Sequence, residues 1–237
     1  VNNTAIGKDT LQSNTTAANN TAVGTDSLES NTTGFSNVSV GQGALQANTT
    51  AGNNTAVGRV AGNKTTTGCQ NVAIGTFAHC VNTTGDNNIA IGVCSLCNNT
   101  TADNNTAVGF SALYANTTGA NNAAFGDIAA SCNTTGYDNT AIGSAAMERV
   151  TTGNENTAVG RLTGKGHTTG NQNTSIGYKA GCNVTTGDKN VFLGFEAGTQ
   201  GGMVNISTED NRLVAGHSTI TNSYVKVDWT VTSDLRD

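Results

Sequence analysis

The sequence predicts an all-β chain, a parallel β-solenoid built from 17-residue coils. Three observations predict it. The pentapeptide Asn3-Thr4-Ala5-Ile6-Gly7 keeps returning, with its glycine at Gly7, Gly24, Gly41, Gly58, Gly75, Gly92, Gly109, Gly126, Gly143, Gly160, Gly177 and Gly194, each step 17 residues long. Asn, Thr and Gly dominate, all poor helix formers, and no segment holds a 3.6-residue period. Proline, which cannot donate to a strand ladder, is absent. A unit of this size cannot bury its own face and must stack on the next.

The unit is numbered from its asparagine. Position 1 is Asn in all twelve copies, among them Asn3, Asn20, Asn54, Asn88, Asn105 and Asn139, and position 5 is the glycine. Position 3 is Ala or Ser except at Phe192, and position 4 is Val, Ile, Leu or Phe. Position 8 is small, position 9 is often Leu (Leu11, Leu28, Leu45, Leu96, Leu113), and positions 13 and 14 are Thr-Thr. This pattern reads as a strand, a turn at Gly, a second short strand and a turn through Asn-Thr-Thr-Gly. Alternate strand residues share a face. Position 4 is therefore expected to point into the roll with position 2, and position 3 outward against a crowded neighbour. The glycine suits a bend with positive φ or close backbone approach, and the asparagine column suits a side-chain amide ladder. Twelve coils at about 4.8 Å give a rod on the order of 60 Å long.

Three regions are expected. Residues 1–198 form the β-roll, 199–222 an altered terminal coil and cap that includes Met203, Val204 and Ile206, and 223–237 a C-terminal strand. Val225, Val227, Trp229 and Val231 alternate with polar residues in that strand. The chain begins at Val1 without Met, so an upstream portion is expected and targeting is not readable. A net charge of −5 argues against a nucleic-acid surface, and no apolar run is long enough to cross a bilayer.

Six cysteines stand at Cys69, Cys80, Cys94, Cys97, Cys132 and Cys182. Cys94-x-x-Cys97 lacks the second pair that a zinc site needs. Cys80 and Cys97 share position 10 of adjacent coils, so a disulfide between them is conceivable beside the simpler reading of free thiols. His79, His167 and His217 form no ligand or catalytic set, and Asp9, Asp26, Asp86, Asp103 and Asp188 read as turn residues serving solubility. No metal or cofactor is expected. The spacer also creates N-x-Thr sequons, such as Asn14-Thr15-Thr16 and Asn82-Thr83-Thr84, which follow automatically from the repeat.

The run N-T-A-V-G-x-x-A-L-x-x-N-T-T-G resembles the repeats of phage tail fibres, and it is similar to the shorter S-V-A-I-G repeats in the heads of trimeric autotransporter adhesins. The resemblance spans Asn2 to about Gly198. It implies a left-handed β-roll, assembly with two further copies as a homotrimer, a place in the virion, and attachment to a host surface receptor or glycan. The unit is longer than the adhesin one by Asn-Thr-Thr. The C-terminal run Ser233-Asp234-Leu235-Arg236 resembles the junction with the self-cleaving chaperone of phage tail fibres and tailspikes. By that resemblance Ser233 is the junction serine, followed by Asp234, while Leu235 to Asp237 persist beyond the cut.

Other functions weigh less. A bacterial trimeric surface adhesin would act at the cell surface. An ice-binding solenoid would use Thr columns, although adjacent strand residues face opposite ways. An enzyme is not expected, because no paired carboxylates or nucleophile–base set recur. Positions 6, 7, 10, 11 and 16, including Phe35, Phe77, Phe110, Tyr114 and Tyr137, are the candidates for receptor contact, with packing between subunits as the equal alternative for the aromatics.

Overall fold

The computed structural model describes residues 2–199, 206–217 and 219–220. Each coil contributes one three-residue strand: β1 (Thr4–Ile6), β2 (Thr21–Val23), β3 (Val38–Val40), β4 (Thr55–Val57), β5 (Val72–Ile74), β6 (Ile89–Ile91), β7 (Thr106–Val108), β8 (Ala123–Phe125), β9 (Thr140–Ile142), β10 (Thr157–Val159), β11 (Thr174–Ile176), β12 (Val191–Leu193) and β13 (Leu213–Ala215). They form one parallel sheet of 13 strands in chain order. Like pairs with like, as Thr4 with Thr21 and Ala5 with Ala22. After β12 the chain takes 22 residues to return, and Val191 pairs with Leu213. Among the described residues there is no helix.

The second short strand does not form. Positions 7, 9 and 17 adopt positive φ, as at Asp26 (59°), Leu28 (51°) and Ser36 (55°). That alternation coils positions 6 to 12 into a compact ribbon instead of an extended strand. The ribbon still belongs to the ladder, because its amides bond to neighbouring coils: Asp26 N–H donates to the Lys8 carbonyl and Leu28 N–H to the Ala44 carbonyl. Many buried backbone groups are thereby satisfied between coils, and others close turns within a coil, as Ser27 N–H to the Gly24 carbonyl and Asn31 N–H to the Leu28 carbonyl.

The strand also faces the other way. Position 3 is buried, with Ala22, Ala56, Ala90 and Ala107 fully covered, while positions 2 and 4 lie on the outside. The reason is volume. A coil of 17 residues encloses a narrow interior, and position 9 already fills it with Leu28, Leu45, Leu96 and Leu113. Only a methyl or hydroxymethyl group fits opposite. Phe192 confirms the compensation: it occupies position 3 where the facing position-9 residues are Gly181 and Gly198, and a Cβ on Gly181 would lie 2.8 Å from its ring.

Two asparagine ladders close the coil. At position 1, Oδ1 accepts the backbone N–H of the next coil's asparagine, as Asn20 N–H to Asn3 and Asn156 N–H to Asn139. Its Nδ2 donates to the carbonyl fourteen residues on, from Asn20 to Gly34 and from Asn139 to Gly153. Amide-to-amide bonds add to this in several coils, such as Asn88 to Asn71 at 3.2 Å. The second ladder, at position 12, joins Asn48 to Asn31 and Asn133 to Asn116, both at 2.8 Å.

Candidate interaction surface

The inverted strand places the large apolar residues on the outer face of the sheet. Ile74, Ile91, Phe125 and Ile142 are 38, 37, 41 and 41% exposed, and position 2 adds Val38 and Ile89 beside them. In-register pairing aligns these side chains into columns on the order of 60 Å long. A soluble monomer rarely exposes so long a contiguous apolar surface.

Charge is partitioned around this face. Across the twelve repeats no charged residue stands at position 2 or 4, whereas every charged residue of the repeats falls at positions 6, 7, 10, 11, 16 or 17. The ion pairs lie there too, as Lys165–Glu148 at 2.8 Å and Lys179–Glu196 at 3.5 Å. Such partly exposed pairs stabilise modestly. Their placement leaves one flank of the rod uncharged, with its apolar column at position 4, and the others polar.

The expected site residues fall as follows. Asn3, Asn20, Asn54, Asn88, Asn105 and Asn139 stand in the position-1 ladder, and their Oδ1 atoms accept from the coil above. Gly7, Gly24, Gly58, Gly92, Gly109 and Gly143 hold φ between 128° and 139°. At Gly58 an added Cβ would lie 2.6 Å from the Gly75 carbonyl oxygen. Ser233 and Asp234 lie outside the described residues, as do Met203, Val204 and the strand around Trp229. Ile206 is buried in a second cluster with Val184 and Phe192.

Phe35, Phe110, Tyr114 and Tyr137 are exposed, while Phe77 lies under the Arg59 guanidinium, 4.7 Å from its ring centre. Sequence reading missed Tyr178 and Phe195, which stack at 5.6 Å with Arg161 and His217 at either end. All four share position 6, so the common spacing was the available signal.

The acidic turn residues do more than solvate. Asp86 Oδ1 accepts the Cys69 N–H and Asp103 Oδ1 accepts the Asp86 N–H, a third ladder at position 16. The position-13 threonine hydroxyls donate to the next coil's carbonyl, as Thr32 to Thr49, which leaves position 14 as the exposed threonine column. The sequon asparagines Asn82, Asn99 and Asn116 are fully buried, and their amides donate within the core, so no glycan transferase reaches them in the fold. The buried Cys80 meets the half-buried Cys97 of the adjacent coil. Among the described residues no group of three His, Cys, Asp or Glu gathers to hold a metal ion.

No protein-family model, curated protein or solved structure matches the chain.

Proposed function

We propose that the chain is the shaft segment of a homotrimeric viral tail fibre that carries host-surface recognition. The observation that supports this reading is the uncharged outer face of the sheet, with an apolar column at position 4 from Ile6 to Leu193 beside a position-2 column of Thr, Val, Ile and Ala. Three rods laid side by side along that column bury it on one another, and hydrophobic burial drives the association at roughly 25 cal/mol per Å². In-register coils suit this, because each rung repeats the same small contact and the contacts add along the rod.

The polar flanks then face outward and carry the variable residues. Host glycans or outer-membrane groups are met at positions 6, 7, 10, 11 and 16, where Phe35, Phe110, Tyr114 and the Tyr178–Phe195 stack stand. Exposed aromatic faces beside charged groups suit sugar rings. The trimeric left-handed roll and the self-cleavage at Ser233 rest on the resemblance to tail fibres.

Sedimentation of the purified chain should return a mass near three times 23.9 kDa, and the trimer should compete with phage particles for adsorption to the host. A monomer at micromolar concentration, or a trimer that leaves adsorption unchanged on every susceptible host, contradicts the reading.

A further inference from the structure

We propose that Cys80 and Cys97 are a disulfide site that staples two successive coils when the chain meets a low-molecular-weight disulfide. Both residues stand at position 10 of their coils, and their Sγ atoms are 3.1 Å apart. That lies inside the ~3.5 Å at which unbonded heavy atoms settle. The backbone on both sides is already locked in the ladder: Lys64 N–H donates to the Cys80 carbonyl and Val81 N–H to the Cys97 carbonyl. Successive coils spaced by about 4.8 Å fall within the separation a disulfide spans. Bond formation therefore asks for side-chain rotation and little backbone movement.

The chemistry balances by thiol–disulfide exchange. Cys97, the more exposed of the two, loses its proton to solvent and attacks one sulfur of the small disulfide. A mixed disulfide forms on Cys97, and the first small thiolate leaves and takes up a proton. Cys80 then loses its proton and attacks the Cys97 sulfur, expelling the second small thiolate, which is protonated in turn. The two cysteines are oxidised by two electrons and the reagent is reduced to two thiols. The contact between the two thiols draws the Cys80 thiol below its usual range and pushes the Cys97 thiol above it, so exposure and not acidity selects Cys97 for the first attack, which is slow at neutral pH. The first step therefore quickens as pH rises. Cys94, on the same coil as Cys97, is the competing partner; its thiol is raised by burial.

The test treats the folded chain with oxidised glutathione, blocks remaining thiols with iodoacetamide, and maps the peptides by mass. Expected is one linked peptide joining residues 80 and 97, with neither cysteine alkylated, beside a glutathione adduct on the exposed Cys132. Cys94→Ser should leave that link intact, and Cys80→Ser should halt the reaction at a glutathione adduct on Cys97. Linkage through Cys94 as the main product, or no linked 80–97 peptide after treatment, would overturn the proposal. The unaltered chain decides the matter alone, so the result does not depend on how the variants fold.

Discussion

His79 and His167 are fully buried in a core made mainly of alanine, leucine and asparagine. His79 stands at position 9, where leucine recurs, and its Nε2 meets Asn99 Nδ2 at 3.1 Å. His167 takes a position-12 asparagine's place and fills the room left by Gly164. Burial lowers their pKa to about 3 and about 4 from 6.5. Both are therefore neutral in the fold, and their depressed values make the unfolded chain the better proton binder below pH 6.5. Stability from this source is full above pH 6.5 and falls as pH drops toward 4, by about 1.4 kcal/mol per histidine per pH unit. His79→Leu, which restores the repeat's own residue, should flatten that slope between pH 6.5 and 4. Urea titrations of both chains across that range check it, and identical slopes would contradict it. Gly58 is a second residue-scale constraint. With φ at 135° and no room for a Cβ, Gly58→Ala should cost about 2–4 kcal/mol in the same assay.

A coil is held by its asparagines as much as by its apolar interior. Asn139 Oδ1 accepts both the backbone and the side-chain N–H of Asn156, and its Nδ2 reaches Gly153. Asn139→Ala leaves those buried groups unpaired and should cost about 2–4 kcal/mol, read by thermal or urea unfolding. Phe192→Ala empties the space opposite Gly181 and Gly198, and a loss of about 3–5 kcal/mol is expected, because neither glycine has a side chain to move in. The coil length, the in-register stacking and the role of the position-1 asparagine were legible in the sequence, since each follows from a constant period. The inward face was not. Alternation says only that positions 2 and 4 oppose position 3, and the larger residues naturally read as core. What decides the direction is the leucine at position 9, which reaches across a coil too narrow for a second large side chain. The positive φ at positions 7 and 9 was hidden for a related reason: Leu11, Val60 and Ile128 adopt it although such residues rarely do. The position-12 ladder was hidden inside a run that reads equally well as a polar turn.

At the scale of the whole molecule, an array whose coils touch only their neighbours gains stiffness from backbone bonds and gains little from core volume. The apolar flank is then the largest unspent surface. Its alignment with the rod axis favours side-by-side association of copies over a contact at one end, and the polar flanks are left for recognition. Lysine at Ile74 and Ile91 tests this directly, because both side chains are about 40% exposed in the single chain and the fold has no need of them inside. The decisive measurement is sedimentation equilibrium of Ile74→Lys/Ile91→Lys beside the unaltered chain, with circular dichroism of each. The expected result is a mass near three times 23.9 kDa for the unaltered chain and near 23.9 kDa for the variant, with matching β spectra. Equal masses for the two, whether monomeric or trimeric, would contradict the assignment of the seam to this face.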